Sequence, residues 1–290
     1  MRLAFLGTPE AAVPSLRSLV DAGHDVELVV TRPDRKRGRG GVLTPSPVKA
    51  CARELGLTIG HRLRDLDELD VERGVVVAYG RLIPAELLSR VPMLNVHFSL
   101  LPRWRGAAPV ERAILAGDHE TGVSIMTLEE ELDTGPVHLE RRVEVGEKRL
   151  STLLDELATL GARALSEVLA SAQLLANPRA QHGEPTYAAK LTREDHHLRS
   201  SSTAVQLTRI IRLGRAFTFV NGRRLLIEEA TVQRDVVAPG AVALRDGRVL
   251  LGASDASIAL ERVRPESHKS MSAIAWWSGA RLDAQSVQWT

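Results

Sequence analysis

The first thirty residues allow few folds. Leu3 to Leu6 is a short apolar run, Gly7-Thr8-Pro9-Glu10 is a turn, and Ala11 to Ala22 reads as a helix stopped by Gly23. Val26 to Val30 is a second apolar run. Short continuous apolar runs suit strands buried on both faces. Two such strands joined through a helix pair in parallel, with the helix crossing one face of the sheet. The opening therefore predicts an α/β fold with a parallel, doubly wound sheet. The turn after the first strand lacks the three-glycine pattern that lets a pyrophosphate approach the backbone, which argues against a dinucleotide oxidoreductase.

The same reading extends along the chain. Gly74 to Ala78, Leu94 to Phe98, Thr121 to Leu128 and Val137 to Val143 are expected strands. Val48 to Leu55 and Pro84 to Arg90 are expected short helices. Ser151 to Ala172 is the clearest helix, with Leu153, Leu157, Leu160, Ala164 and Val168 at helical spacing and Ser151 or Thr152 placed to cap its start. It closes a first domain over residues 1–176. Residues 177–202 turn polar and read as a linker. Residues 203–290 form a smaller second domain: a helix over Ala204 to Leu213, then short apolar runs punctuated by Asn221-Gly222, Pro239-Gly240 and Asp246-Gly247. Asn-Gly and Asp-Gly between apolar runs are hairpin signals. An OB-like β-barrel fits the strand count, and a sandwich fits it nearly as well.

Composition narrows the classes further. There is one cysteine, Cys51, so no internal disulfide can form, and the chain suits a reducing compartment. The N-terminus enters a strand at once instead of a charged stretch followed by a long apolar one, and no run of about 18 apolar residues occurs. A cytoplasmic protein with no membrane association is expected. The net charge of +2 is too mild to imply nucleic-acid binding by itself. Any such signal has to come from local clusters.

Two stretches carry chemistry. Asn95 and His97 lie two apart on a predicted strand, so their side chains share one face. They stand at the C-terminal end of that strand, where open α/β sheets place their ligand crevices. Ser99-Leu100-Leu101-Pro102 and Arg103-Trp104-Arg105-Gly106 follow. Further on, Leu132-Asp133-Thr134-Gly135 puts an acid in a turn between two strands. An aspartic-protease reading fails for want of a second such motif.

Asn95-Val96-His97, Ser99-Leu100-Leu101-Pro102 and Leu132-Asp133-Thr134-Gly135 together resemble the signature of the folate-dependent formyltransferases. The resemblance implies a catalytic trio of Asn95, His97 and Asp133 on a Rossmann-like domain, with 10-formyltetrahydrofolate as the formyl donor and no metal. It implies that Ser99, Leu100, Leu101 and Pro102 pack against the folate, beside Tyr79 and Gly80 at the end of a neighbouring strand. The chemistry wants these residue types. An amine that attacks a formyl carbon drives charge onto the oxygen, where an asparagine amide can donate. A histidine handles protons near neutrality, and an adjacent aspartate orients it and favours its protonated form.

Members of that superfamily that act on methionyl-tRNA insert a loop after their second strand. Pro33-Asp34-Arg35, Gly38-Arg39-Gly40 and Pro45-Ser46-Pro47-Val48-Lys49 are similar to that loop. The implied acceptor is initiator methionyl-tRNA, met by Arg35, Lys36, Arg37, Arg39 and Lys49, with the second domain as a further tRNA surface and the protein a monomer. Two alternatives stay open: a formyltransferase for another amine, such as an amino sugar nucleotide, and a non-catalytic RNA-binding protein on the same fold. Three departures from the family pattern are visible. His197-Leu198-Arg199 stands where Ile-Asp-Trp is usual, and Arg212 to Phe217 replaces a Pro-rich turn. Phe98 stands where a small residue is common.

Overall fold

The computed structural model describes residues 1–37, 41–280 and 288–290. The chain forms two compact units. The first comprises Met1–Val110, His119–Glu144 and Thr152–Ala189; the second comprises Glu111–Asp118, Val145–Ser151 and Lys190–Thr290.

In the first unit the elements run β1 (Arg2–Gly7), α1 (Val13–Asp21), β2 (Asp25–Val30), β3 (Arg35–Arg37), β4 (Val42–Thr44), α2 (Pro47–Glu54), β5 (Ile59–Gly60), β6 (Arg73–Val77), α3 (Ala85–Arg90), β7 (Met93–His97) and β8 (Arg105–Gly106). They continue through α4 (Pro109–Ala116), which runs on into residues of the second unit, then β9 (Glu120–Thr127), β10 (Val137–Glu144), α5 (Leu150–Ala170), α6 (Ala172–Ala176) and β11 (Tyr187–Ala188). The main sheet has the order β10-β9-β7-β6-β1-β2-β5. The strands from β7 to β5 are parallel, as the opening residues predict. The far edge departs from that pattern, because β9 runs antiparallel to β7 and β10 antiparallel to β9. β9 ends beside Leu94, and the long turn that joins it to β10 folds back far enough to set Asp133 beside His97.

One face of the sheet is sealed by an apolar cluster that includes Ala4, Leu6, Val30, Val76, Leu87 and Met93. On the other face lies α5, which buries Leu153, Leu157, Leu165 and Val168, each worth about 1.5–3 kcal/mol of burial. The helix begins at Leu150, so Ser151 and Thr152 lie inside its first turn and not at the cap position expected for them. It crosses β7 at Gly161. A Cβ there would sit 2.8 Å from Cγ1 of Val96, a stiff strand side chain. Gly161→Ala is therefore expected to destabilise by about 1–3 kcal/mol through overpacking, although alanine in an open helix position stabilises by about 1 kcal/mol. Chemical denaturation of the two proteins checks this; an unchanged or raised midpoint would show that the helix and β7 separate freely.

The second unit adds α7 (Ala204–Arg212), β12 (Phe217–Val220), β13 (Arg223–Gln233), β14 (Val242–Arg245), β15 (Arg248–Gly252), β16 (Ser257–Pro265), β17 (Met271–Ser272) and α8 (Ala273–Ala280). Thr203 caps α7, its side chain and that of Gln206 satisfying each other's backbone amides. The strands form an antiparallel sheet of order β12-β13-β16-β15-β14, with β17 on β16. Asn221 and Asp246 take left-handed backbone (φ 46° each) at the two hairpins their sequence announces. The C-terminal residues bond to both ends of this sheet. Thr290 N donates to Phe219 O at 3.1 Å, and Trp289 N donates to Gly240 O at 2.8 Å. The sheet curls into a half-barrel around Leu207, Ile211, Ile227, Val249, Leu251, Ile258, Val263 and Trp289, as the OB-like expectation has it.

The polar stretch 177–202 is built into structure at both of its ends. Arg179 exchanges backbone hydrogen bonds with Val137 (2.7 and 2.8 Å), and β11 pairs in parallel with β8. On the other side, Leu198 N donates to Phe217 O at 2.8 Å. Among the described residues no helix is long and apolar enough to cross a membrane.

Candidate active site

All five residues of β7 are buried. Strand alternation sends Leu94 and Val96 toward α5, and Met93, Asn95 and His97 to the opposite face. Phe98 follows Val96: its ring approaches Gly161, so it lies on the side of the sheet away from His97 and does not crowd it. Asn95 is in register with Val76 on one side and Met126 on the other, and His97 with Ser124. Among the described residues the Asn95 side-chain amide has no hydrogen-bond partner, although Asn95 is only 9 % exposed.

Asp133 arrives from the turn between β9 and β10, with its backbone in the left-handed region (φ 52°). Its Oδ2 accepts from Gly106 N at 2.7 Å and lies 3.7 Å from His97 Nδ1. His97 and Asp133 are 6 and 7 % exposed. The other ring nitrogen, Nε2, is 2.9 Å from Trp104 O. A carbonyl only accepts, so Nε2 carries a hydrogen. A neutral ring in that tautomer turns the Nδ1 lone pair toward the carboxylate. A proton placed on Nδ1 removes the repulsion and turns the 3.7 Å contact into an ion pair with little water to weaken it. The arrangement is a proton-holding pair next to an unpaired amide donor. His138 offers no rival base. Thr127 Oγ1 and Leu174 O occupy its two nitrogens at 2.8 and 2.9 Å, and burial pushes its pKa down. Burial likewise pushes the Cys51 thiol up, which keeps it protonated and unreactive.

The segment after His97 is shaped by hydroxyls. Ser124 Oγ donates to Ser99 O at 2.7 Å and accepts from Leu101 N at 3.2 Å, while Ser99 Oγ donates to Arg103 O at 2.6 Å. Ser99 is fully buried, and Leu101 packs on Met126 and Val137. These two residues hold the loop from behind, and Leu100 and Pro102 remain partly exposed. Tyr79 is divided in the same way. Its ring belongs to the apolar cluster with Leu6 and Val76, and burial raises its phenol pKa. Gly80, next in the chain, is exposed, and its carbonyl accepts from Arg32 at 3.4 Å.

The basic loop begins as a two-stranded hairpin in which β3 pairs with β4, Arg35 opposite Thr44 and Lys36 opposite Leu43. Arg35 and Lys36 are exposed. Arg37 is in β3, and Arg39 lies outside the described residues. Lys49 stands apart from these exposed cations. It is on α2, 9 % exposed, and its Nζ is 2.7 Å from Asp34 Oδ1, holding that carboxyl below the usual carboxylate range. A cation already neutralised and walled in is not free for a phosphate. Together with a 2.8 Å contact between Thr31 Oγ1 and Ser46 Oγ, it pins the two ends of the loop.

Residues with no sequence signal complete the site. Gln181 Nε2 donates to both Asp133 O and Gly135 O at 2.8 Å, and its Oε1 accepts from Arg105 at 2.6 and 3.1 Å. Thr186 Oγ1 accepts from Trp104 N at 2.8 Å. Both come from the stretch that reads as linker, and nothing local distinguishes them from solvated polar residues. Among the described residues no three His, Cys, Asp or Glu side chains gather as metal ligands.

Comparison with known proteins adds an independent finding. Residues 1–169 match the family described as formyl transferase, and residues 190–281 match formyl transferase, C-terminal domain. A methionyl-tRNA formyltransferase from Clavibacter sepedonicus is 43% identical over 299 residues, covering 96% of this chain and 97% of that one. A protein of the same name from Heliobacterium modesticaldum is 40% identical over 309 residues, with 97% and 98% covered. Among solved structures, an N-formyltransferase from Helicobacter canadensis in complex with folinic acid and dTDP-3-aminofucose superimposes with a TM-score of 0.68 at 16% identity, over 89% of this chain and 98% of that one. HypX from Aquifex aeolicus in complex with tetrahydrofolic acid gives 0.66 at 18% identity, over 96% and 47%. At such identities these two structures speak for the fold alone.

Proposed function

The chain belongs to the formyl transferase family, and on that premise we propose that it transfers the formyl group of 10-formyltetrahydrofolate to the α-amine of initiator methionyl-tRNA, acting as a cytoplasmic monomer. The observation that carries the reading is the meeting of Asn95, His97 and Asp133 from distant parts of the chain, with Nδ1 of His97 3.7 Å from Asp133. Relatives that bear this activity in their name match nearly end to end, which supports methionyl-tRNA as the acceptor.

The donor supplies a formyl carbon bonded to the N10 nitrogen of the folate. Asn95 fits it, because a buried amide donor without a protein partner suits the oxygen of that group. As the amine adds, Asn95 donates to the oxygen on which charge develops. A new C–N bond forms, the bond from carbon to N10 breaks, and one proton must leave the amine while one reaches N10. The His97–Asp133 pair holds that proton between the two events. Leu100, Pro102 and Gly80 offer partly or fully exposed surface to the folate, backed by Ser99, Leu101 and Tyr79. Residues 1–176 carry the reacting side chains, 177–202 brace them through Gln181 and Thr186 before leading out, and 203–290 serve the tRNA together with Arg35, Lys36, Arg37 and Arg39.

The test is an assay with 10-formyltetrahydrofolate and either methionyl-tRNA or an amino sugar nucleotide. Formylmethionyl-tRNA is expected, with the sugar unmodified; the opposite result overturns the reading. Joint replacement Arg35→Ala and Lys36→Ala is expected to raise KM for tRNA and leave KM for the folate unchanged. Removing two phosphate contacts should also lower the salt dependence of tRNA binding by about 1.4–1.8 on a log–log plot. An unchanged slope would free the hairpin of that role.

A further inference from the structure

We propose that Gln181 is a positioning residue for the Asp133–His97 pair, a role that rests on the functional reading above. The turn that carries Asp133 needs holding. Asp133 takes a backbone conformation that L-residues rarely adopt (φ 52°). At Gly135 the turn presses so closely on β9 that a Cβ would lie 2.0 Å from Thr127 O. Gln181 bonds the carbonyls of both residues at 2.8 Å. Its other end receives two bonds from Arg105. Carbonyls only accept and a guanidinium only donates, so the amide has one possible orientation.

Arg105 gives this clamp its catalytic meaning. The residue before it, Trp104, accepts from His97 Nε2 through its carbonyl, and the residue after it, Gly106, donates to Asp133 Oδ2. Gln181 therefore ties the turn that bears the aspartate to the loop that grips both members of the pair. A side chain that donates twice and accepts twice is required, and of the neutral residues only an amide does this. Pairing of β11 with β8 keeps Gln181 within reach.

Gln181→Leu keeps the size and removes both ends of the clamp. It is expected to lower kcat by about 100-fold, the scale of a misplacement near 1 Å, with KM for folate and for methionyl-tRNA within about twofold of wild type. Gln181→Glu separates the two ends. The introduced carboxyl keeps Arg105 but has no N–H for the turn. Its ionised oxygens face the two carbonyl oxygens of the turn and are repelled by them. Its kcat is therefore expected to fall by about 100-fold although Arg105 stays bound, with both KM values within about twofold of wild type, a split that a packing defect does not produce. This variant also decides the matter if Gln181→Leu fails to fold. The proposal is overturned if Gln181→Leu or Gln181→Glu keeps more than half of wild-type kcat. His97→Ala in the same assay distinguishes the two levels. Wild type active, His97→Ala inactive and Gln181→Leu fully active overturns the positioning role alone. A wild type that transfers no formyl group to methionyl-tRNA overturns the functional reading and the positioning role with it.

Discussion

His97→Ala is expected to lower kcat for formyl transfer by roughly 10³-fold, near the middle of the range that general acid–base catalysis contributes. The variant removes the ring that stands between Trp104 O and Asp133 Oδ2, leaving the carboxylate bonded to Gly106 N but without a proton partner. Asp133→Asn should lose nearly as much. An asparagine there can still accept from Gly106, yet it carries no charge to balance an imidazolium. Because the two residues act as one proton-holding unit, the double variant is expected to be no slower than the worse of the single ones. Single-turnover rates with saturating folate and methionyl-tRNA measure this. Multiplicative losses in the double variant would mean that the two side chains work separately, and the shared-proton mechanism would have to be abandoned.

Asn95→Ala is expected to lower kcat by about 10²–10³-fold, the usual loss when one donor to a developing oxyanion is removed. KM for the folate should change little, because the interaction strengthens only as charge develops. The stability result should go the other way. The Asn95 side chain is buried without a hydrogen-bond partner among the described residues, between Val76 and Met126. Folding gains no hydrogen bond from its amide and strips part of that amide's water, a small net cost. Asn95→Leu, apolar and close in volume, is therefore expected to raise the thermal midpoint while abolishing transfer, the signature of a residue kept for function. A lower midpoint together with retained activity would give Asn95 a structural role and leave the oxyanion without its donor.

The chain's sequence makes half of this site legible, and the division has a physical basis. Asn95 and His97 are two residues apart on a strand, and the pleat alone puts them on one face. The hairpins at Asn221-Gly222 and Asp246-Gly247, the helix stop at Gly23, and the capped start of α7 at Thr203 follow from local backbone preferences in the same way. Asp133 was readable through its resemblance to a family motif, and Gln181, which holds its turn, was not readable at all. Lys49 has a partner that local reading did not supply. Its place beside a basic loop suggested a free cation, whereas the fold turns it inward onto Asp34.

What this sequence determined by itself is every feature whose cause lies within a few residues: apolar runs, turn dipeptides, caps, and the shared face of two side chains on one strand. Only the tertiary structure decided that β9 runs against its neighbours, that the turn after it folds back to set the acid beside the histidine, that Gln181 grips that turn, and that Lys49 is paired with Asp34. Those outcomes join groups 15 to 48 residues apart, through hydrogen bonds and ion pairs whose partners are chosen by the packing of the fold, and local spacing carries no record of that choice.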